Sequence, residues 1–139
     1  MICKDFKDFP RKGRLLGIDW GARRMGLAVS DPEQKFAFTR PHIDNEPRTA
    51  NREPRLLKII ADEDIVGIVV GLPLFFDGSE SDTTRRVRAF ADDLATQTDL
   101  PIIFQDETLT SVEAAESHPA DLDSESARII LEQFIIHNA

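Results

Sequence analysis

Apolar residues gather along this chain in short blocks separated by turn residues. The first, Leu15-Leu16-Gly17-Ile18-Asp19-Trp20, runs into a glycine-rich turn; the second, Met25-Gly26-Leu27-Ala28-Val29-Ser30, stops at Asp31-Pro32. Blocks of this length and boundary predict two strands joined by a tight turn. Residues 36–43, with Phe36, Phe38 and His42 spaced by twos or fours, extend the meander by a third strand before Pro47. The period then lengthens: Leu56, Leu57, Ile59, Ile60 and Ala61 among Arg and Lys predict a helix over 48–62. Residues 65–71 are almost wholly apolar, as in a central parallel strand covered on both faces. Gly71-Leu72-Pro73 reads as a change of chain direction. Ser79 or Ser81 caps a helix running to about residue 96, with Val87, Phe90, Ala91 and Leu94 on one stripe. Residues 100–104 give the last buried strand, and two helices close the chain, 111–117 and Asp123 to about His137. The order βββαβαβαα predicts an α/β fold. Its five-stranded mixed sheet combines a three-strand meander with two parallel strands, flanked by helices.

At 139 residues, 41% of them apolar and 30% charged, the chain fits a single domain over 1–139, with 1–13 as an N-terminal extension. The N-terminal segment lacks the apolar run of a signal peptide, and residues 65–72 are far too few to span a bilayer. The expectation is therefore a cytoplasmic protein with no membrane partner. The single cysteine, Cys3, forms no internal disulfide, and in a frayed N-terminus it reads as incidental. Charge is unevenly spread. Residues 1–70 hold 13 Lys and Arg against 11 Asp and Glu, whereas residues 71–139 hold 4 against 14, so the halves carry +2 and −10. A net charge of −8 opposes nucleic-acid binding, which is driven by Lys and Arg at phosphates. Any basic face comes from the first half, and carboxylates gathered for metal ions count as negative only until the ions arrive.

Three carboxylates stand at the ends of predicted elements. Asp19 interrupts the first apolar block between Gly17 and Gly21, Glu107 follows the last strand, and Asp123 opens the last helix. Taken singly, each is also a residue for a turn or a helix cap. Taken together they suit phosphodiester cleavage, in which two divalent ions about 4 Å apart activate water and neutralise developing charge. Magnesium takes oxygen ligands and keeps several waters, so carboxylates from separate elements suffice. With three His and one Cys, a zinc cluster is a poor fit.

Four segments in order resemble the YqgF family, the Holliday junction resolvase-like proteins also described as pre-16S rRNA nucleases. They are Leu16-Gly17-Ile18-Asp19-Trp20-Gly21 with Arg23, Gly26, Ala28 and Val29; Val70-Gly71-Leu72-Pro73-Leu74 with Asp77-Gly78-Ser79; Asp106-Glu107-Thr108-Leu109-Thr110; and Asp123 with Ala127, Ile130 and Leu131. The resemblance spans residues 14–135. It implies a ribonuclease H-like fold and a catalytic, metal-binding triad of Asp19, Glu107 and Asp123 holding Mg²⁺ or Mn²⁺, two ions with substrate bound. It further implies a hydrolase that processes the 5′ end of pre-16S rRNA in ribosome biogenesis, with precursor particles as partners and a monomeric or homodimeric state. Resolution of Holliday junctions would use the same carboxylates, and a non-catalytic RNA- or ribosome-binding module is the alternative without chemistry. The segment Gly17-Ile18-Asp19-Trp20-Gly21 also resembles the first phosphate-binding segment of actin-like ATPases and sugar kinases, but those need two such domains.

Arg23 matches a family arginine and is a candidate to hold the scissile phosphate, with a solvated arginine as the alternative. Asp77 and Ser79, around Gly78, are candidates to position substrate or are simply a turn. Arg85, Arg86 and Arg88 lie away from the apolar stripe of their helix and form either a phosphate-binding strip, with Arg85 as its candidate, or a solvated face. Phe75-Phe76 is expected to fill the core rather than stack on a base. Gly21 and Gly26 fit a hairpin. Residues 111–122 lack the Lys/Arg-rich loop of related sequences, and His118 within them reads as a surface residue. Phe6 and Phe9 are placed to dock on the core, and Lys4, Lys7, Arg11 and Lys12 to restore positive charge.

Overall fold

The computed structural model describes residues 1–45, 52–75, 77–107 and 122–138. The helix expected over 111–117, the start of the one expected over 48–62, Phe76 and His118 lie outside the described residues. Among the described residues, a short 3-10 helix (Phe6–Asp8) precedes five strands and three α-helices: β1 (Arg14–Asp19), β2 (Arg24–Ser30), β3 (Ala37–Asp44), α1 (Arg52–Asp62), β4 (Ile65–Leu72), α2 (Asp82–Ala95), β5 (Ile102–Asp106) and α3 (Leu122–His137). They form one mixed sheet of order β3-β2-β1-β4-β5. The short β1–β2 turn forces an antiparallel pair, and β3 continues the meander. The helical crossovers bring β4 and then β5 back parallel to β1.

Strand alternation divides the core into two layers. Leu16 and Ile18 of β1, with Ile68, Val70 and Ile102, pack beneath Leu56 of α1 and Val87, Phe90 and Leu94 of α2. Leu15, Val69 and Ile103 face the other way, against Ala127, Ile130, Leu131 and Phe134 of α3. α3 lies very close to β1: a Cβ on Gly17 would sit 3.0 Å from Leu131 Cβ and 3.1 Å from the Ala127 carbonyl. The parallel strands β1, β4 and β5 therefore end together at one rim, the place where open α/β sheets present their ligands.

Of the two serines able to cap α2, the structure uses Ser81. Its Oγ accepts from Thr84 N–H at 3.1 Å, and Thr84 Oγ1 accepts from Ser81 N–H at 3.0 Å. Thr84 Oγ1 also donates to the Pro73 carbonyl, so the start of α2 is tied to the segment leaving β4.

Two expectations need correction. The N-terminus is not frayed: Cys3 N–H donates to Ile102 O at 2.6 Å, Ile102 N–H donates to Met1 O at 2.8 Å, and Ile2 bridges Ile102 in parallel. The open edge of β5 offers unpaired backbone groups, which these residues satisfy, and Cys3 is buried as a result. Phe75 does not fill the core; it is 58% exposed, because the chain has already left the sheet beyond Leu72. β4 ends within the expected Gly71-Leu72-Pro73 segment, with Gly71 still paired to Gln105 and Leu72 its last residue. Phe9 docks as expected, buried with its ring edge-on to Phe134 at 5.3 Å. Among the described residues, no helix is long and apolar enough to cross a membrane.

Candidate active site

Asp19 is the last residue of β1, opposite Gly26 of β2, and Glu107 directly follows β5, its N–H donating to Leu72 O at 3.3 Å. Alternation puts Leu15, Gly17 and Asp19 on the α3 face of the sheet. β4 lies between β1 and β5, so the two backbones are separated by two strand spacings, about 9.5 Å. The side chains nevertheless meet, because Glu107 crosses over Gly71. A Cβ there would stand 2.8 Å from Glu107 Oε2 and 2.4 Å from Ile130 Cδ1. The glycine in the middle strand is what lets a β5 carboxyl hydrogen-bond to the β1 aspartate.

That contact has an electrostatic consequence. Burial, and then the negative charge of Asp19, push the Glu107 carboxyl up from 4.5 to about 9. Two half-buried carboxylates in contact do not readily both ionise without a cation, so Glu107 keeps its proton at neutral pH and donates it to Asp19. Asp106, on the opposite face of the strand end, adds to the same effect.

Asp123, the third member of the expected triad, is the second residue of α3; its side chain lies outside the described residues. Among the described residues no group of three His, Cys, Asp or Glu is arranged to hold a metal. What fixes the first turn of α3 is the next residue. Ser124 is fully buried; its Oγ accepts from Leu27 N–H at 3.2 Å and donates to Arg40 O at 2.5 Å. These two backbone groups belong to neighbouring strands at the point where the β2–β3 register slips, between Met25 and Leu27. The hydroxyl thus fills a gap in the ladder and pins the helix beside the end of β1.

The β1–β2 turn is fixed by Asn45, 6% exposed, whose Nδ2 donates to Gly21 O at 2.5 Å and whose N–H donates to Arg23 O at 2.8 Å. Arg23 is presented on this turn with its side chain exposed. Asp77 and Ser79 form a self-contained turn: Asp77 Oδ1 accepts from Ser79 N–H at 2.9 Å and from its Oγ at 2.6 Å, around Gly78 at φ +84°. Those bonds hold the Asp77 carboxyl below its ordinary range. The three arginines of α2 separate by partner. Arg85 pairs with Asp82, Arg88 grips Glu80 with two bonds of 2.8 and 3.0 Å, and Arg86 lies over the ring of Trp20, 5.1 Å from its centroid.

The match to known proteins follows the same segments. Residues 13–137 match the model of the family described as RuvX, Holliday junction resolvase. The chain belongs to this family. It is 42% identical over 132 residues to a Maridesulfovibrio salexigens protein bearing the name pre-16S rRNA nuclease, covering 88% of this chain and 97% of that one. A Bradyrhizobium protein of the same name, strain BTAi1, is 41% identical over 120 residues, covering 86% of this chain and 73% of that one. Among solved structures, Thermus thermophilus RuvC in complex with a Holliday junction substrate superposes with a TM-score of 0.61 at 14% identity, over 90% of this chain and 95% of that one. At that identity the likeness speaks for the fold, a resolvase fold of the ribonuclease H-like class. As a member of the RuvX family the chain is of a nuclease kind, a hydrolase acting on nucleic acid.

Sequence reasoning singled out Asp19 and Glu107, which the structure brings together. It read Gly71 only as part of a strand end and Ser124 only as a local alternative for capping the last helix, gave no role to Asn45, and did not separate Arg86 from its neighbours. A glycine within an otherwise β-branched strand was the available signal for a close approach. Nothing local marks Ser124 or Asn45, whose partners lie far away in sequence.

Proposed function

We propose that this RuvX-family chain is a metal-dependent phosphodiesterase that trims the 5′ end of pre-16S rRNA, with Asp19, Glu107 and Asp123 as its catalytic and metal-binding carboxylates. The observation that carries the reading is the crossing of Glu107 over Gly71 to share a proton with Asp19. A pair of oxygen donors so close that one must be protonated suits a hard divalent cation, which takes the proton's place. Mg²⁺ or Mn²⁺, two ions once substrate is bound, would supply an activated water and neutralise charge on the leaving oxygen. The protein's part is to hold its carboxylates at one rim. Asp19 and Glu107 come from rigid strands, and Asp123 from a helix turn fixed by Ser124. Arg23, exposed on the adjoining turn, would take a phosphate oxygen and the 77–79 turn would guide the flanking strand, whereas Arg85, the other candidate, is engaged by Asp82. The rRNA substrate rests on the names of relatives about 40% identical along most of their length.

The family description, and the likeness to a resolvase solved with a junction, favour one second reading, cleavage of a four-way DNA junction. Both readings meet in one experiment. Wild type, Asp19→Asn and Glu107→Gln are incubated with a precursor 16S rRNA fragment or a four-way junction, with Mg²⁺, with Mn²⁺ or with chelator. The expected result is metal-dependent cutting of the RNA that falls at least 100-fold in either variant while circular dichroism shows the fold intact. Cutting of the junction alone would move the substrate to DNA. Absence of cutting, or equal cutting by the variants, would leave a binding module and sink the catalytic assignment.

A further inference from the structure

Asp19 and Trp20 are adjacent in the chain and so point to opposite faces of the sheet at the same rim. Asp19 faces α3, and Trp20 packs on the α1 and α2 layer. Arg86, exposed on α2, covers the outer face of that indole. Its neighbours Arg85 and Arg88 spend their charge on Asp82 and Glu80. In a chain of net charge −8, Arg86 is a cation with no carboxylate partner among the described residues, beside the active-site rim. Its geometry is specific. A guanidinium held over an indole, 5.1 Å from its centroid, can keep that contact while its N–H groups form a two-pronged bond to a phosphate.

From this we infer that Arg86, held by Trp20, is a phosphate-binding residue for the substrate strand. The inference rests on the nuclease reading of the same site and adds to it the path of the strand. A strand crossing the rim would place one phosphate at the carboxylates on the α3 side and a neighbouring phosphate at Arg86 on the α2 side. The pairing with Trp20 makes the site more than a surface charge, since a lysine there would keep the charge but lose both the stack and the fork.

The test is binding of a fluorescein-labelled single-stranded RNA oligonucleotide at several salt concentrations. It is carried out in the Asp19→Asn background, so that the probe stays intact, with Mg²⁺ present. Arg86→Gln should weaken binding about tenfold and lower the slope of log affinity against log salt by about 0.7, the value for one phosphate contact on a single strand. Arg86→Lys should fall between the two. Trp20→Leu should weaken binding and make a further Arg86→Gln change nearly silent. Lys58→Ala, which breaks a solvent-exposed pair with Asp62 on α1, should leave the slope unchanged. In the active protein, Arg86→Gln should raise KM about tenfold with kcat within about twofold. An unaltered salt slope in Arg86→Gln, or additive effects of Trp20→Leu and Arg86→Gln, would overturn the role of Arg86 and leave the nuclease reading intact. If the background protein binds no RNA at any salt concentration, the role of Arg86 on an RNA strand falls, and cleavage of the four-way junction decides the nuclease reading separately.

Discussion

Gly71 decides whether the two carboxylates can meet. A methyl group at this position would press on Glu107 Oε2 and Ile130 Cδ1, both ends of side chains that can shift. Gly71→Ala should therefore fold, at a cost of about 1–3 kcal/mol, yet displace the carboxyl from Asp19. We expect at least tenfold weaker Mn²⁺ binding by calorimetry and a comparable loss of cleavage; unchanged metal affinity would show that the crossing is unimportant. The same contact makes stability depend on pH. Glu107 loses its proton near 4.5 when unfolded but only near 9 when folded, so its contribution is intact below about pH 4.5 and fades as pH rises towards 9. Urea midpoints of the metal-free protein should fall across that window by an amount worth several kcal/mol, and Glu107→Gln should flatten the trend. Both carboxylates were legible in the sequence as acids at strand ends. Their contact was not, because it depends on β4 lying between β1 and β5, and strand order is a property of the whole sheet.

At the level of elements, α3 is held by more than apolar burial. Its Ser124 hydroxyl replaces a direct β2–β3 bond at the register slip, so helix and hairpin share one hydrogen-bond chain running from Leu27 through Ser124 to Arg40. Ser124→Ala would leave a buried N–H and a buried carbonyl without that partner, costing about 1–3 kcal/mol. The expected outcome is a lower urea midpoint accompanied by weaker Mn²⁺ binding, since the adjacent Asp123 turn loosens; a stability loss with metal affinity unchanged would make the serine purely architectural. The strands and helices themselves were readable, because runs such as 65–72 and the stripe of Val87, Phe90, Ala91 and Leu94 state their periods locally. The end of β4 was readable too, since the Leu-Pro step marks where the chain leaves the sheet; that a carboxyl crosses above Gly71 was not.

For the molecule as a whole, the chain ends behave differently from what composition suggests. Residues 1–3 join the edge of β5, and Phe9 seats against Phe134 and beneath Gly67, where a Cβ would meet the Phe9 ring at 2.6 Å. A stretch rich in Lys and Asp reads as frayed only while the open edge it completes is unknown. The three arginines of α2 teach the same lesson in charge. Positions 85, 86 and 88 are equivalent in sequence, and only packing separates the two that pair with Asp82 and Glu80 from the one that lies over Trp20. Trp20 is also the single tryptophan in a chain without tyrosine. Excitation at the red edge of protein absorption therefore lights one ring, wedged between the core and a guanidinium and joined by a peptide bond to Asp19. Its emission is a native optical gauge of the rim, able to follow a strand or an ion arriving there with no dye attached.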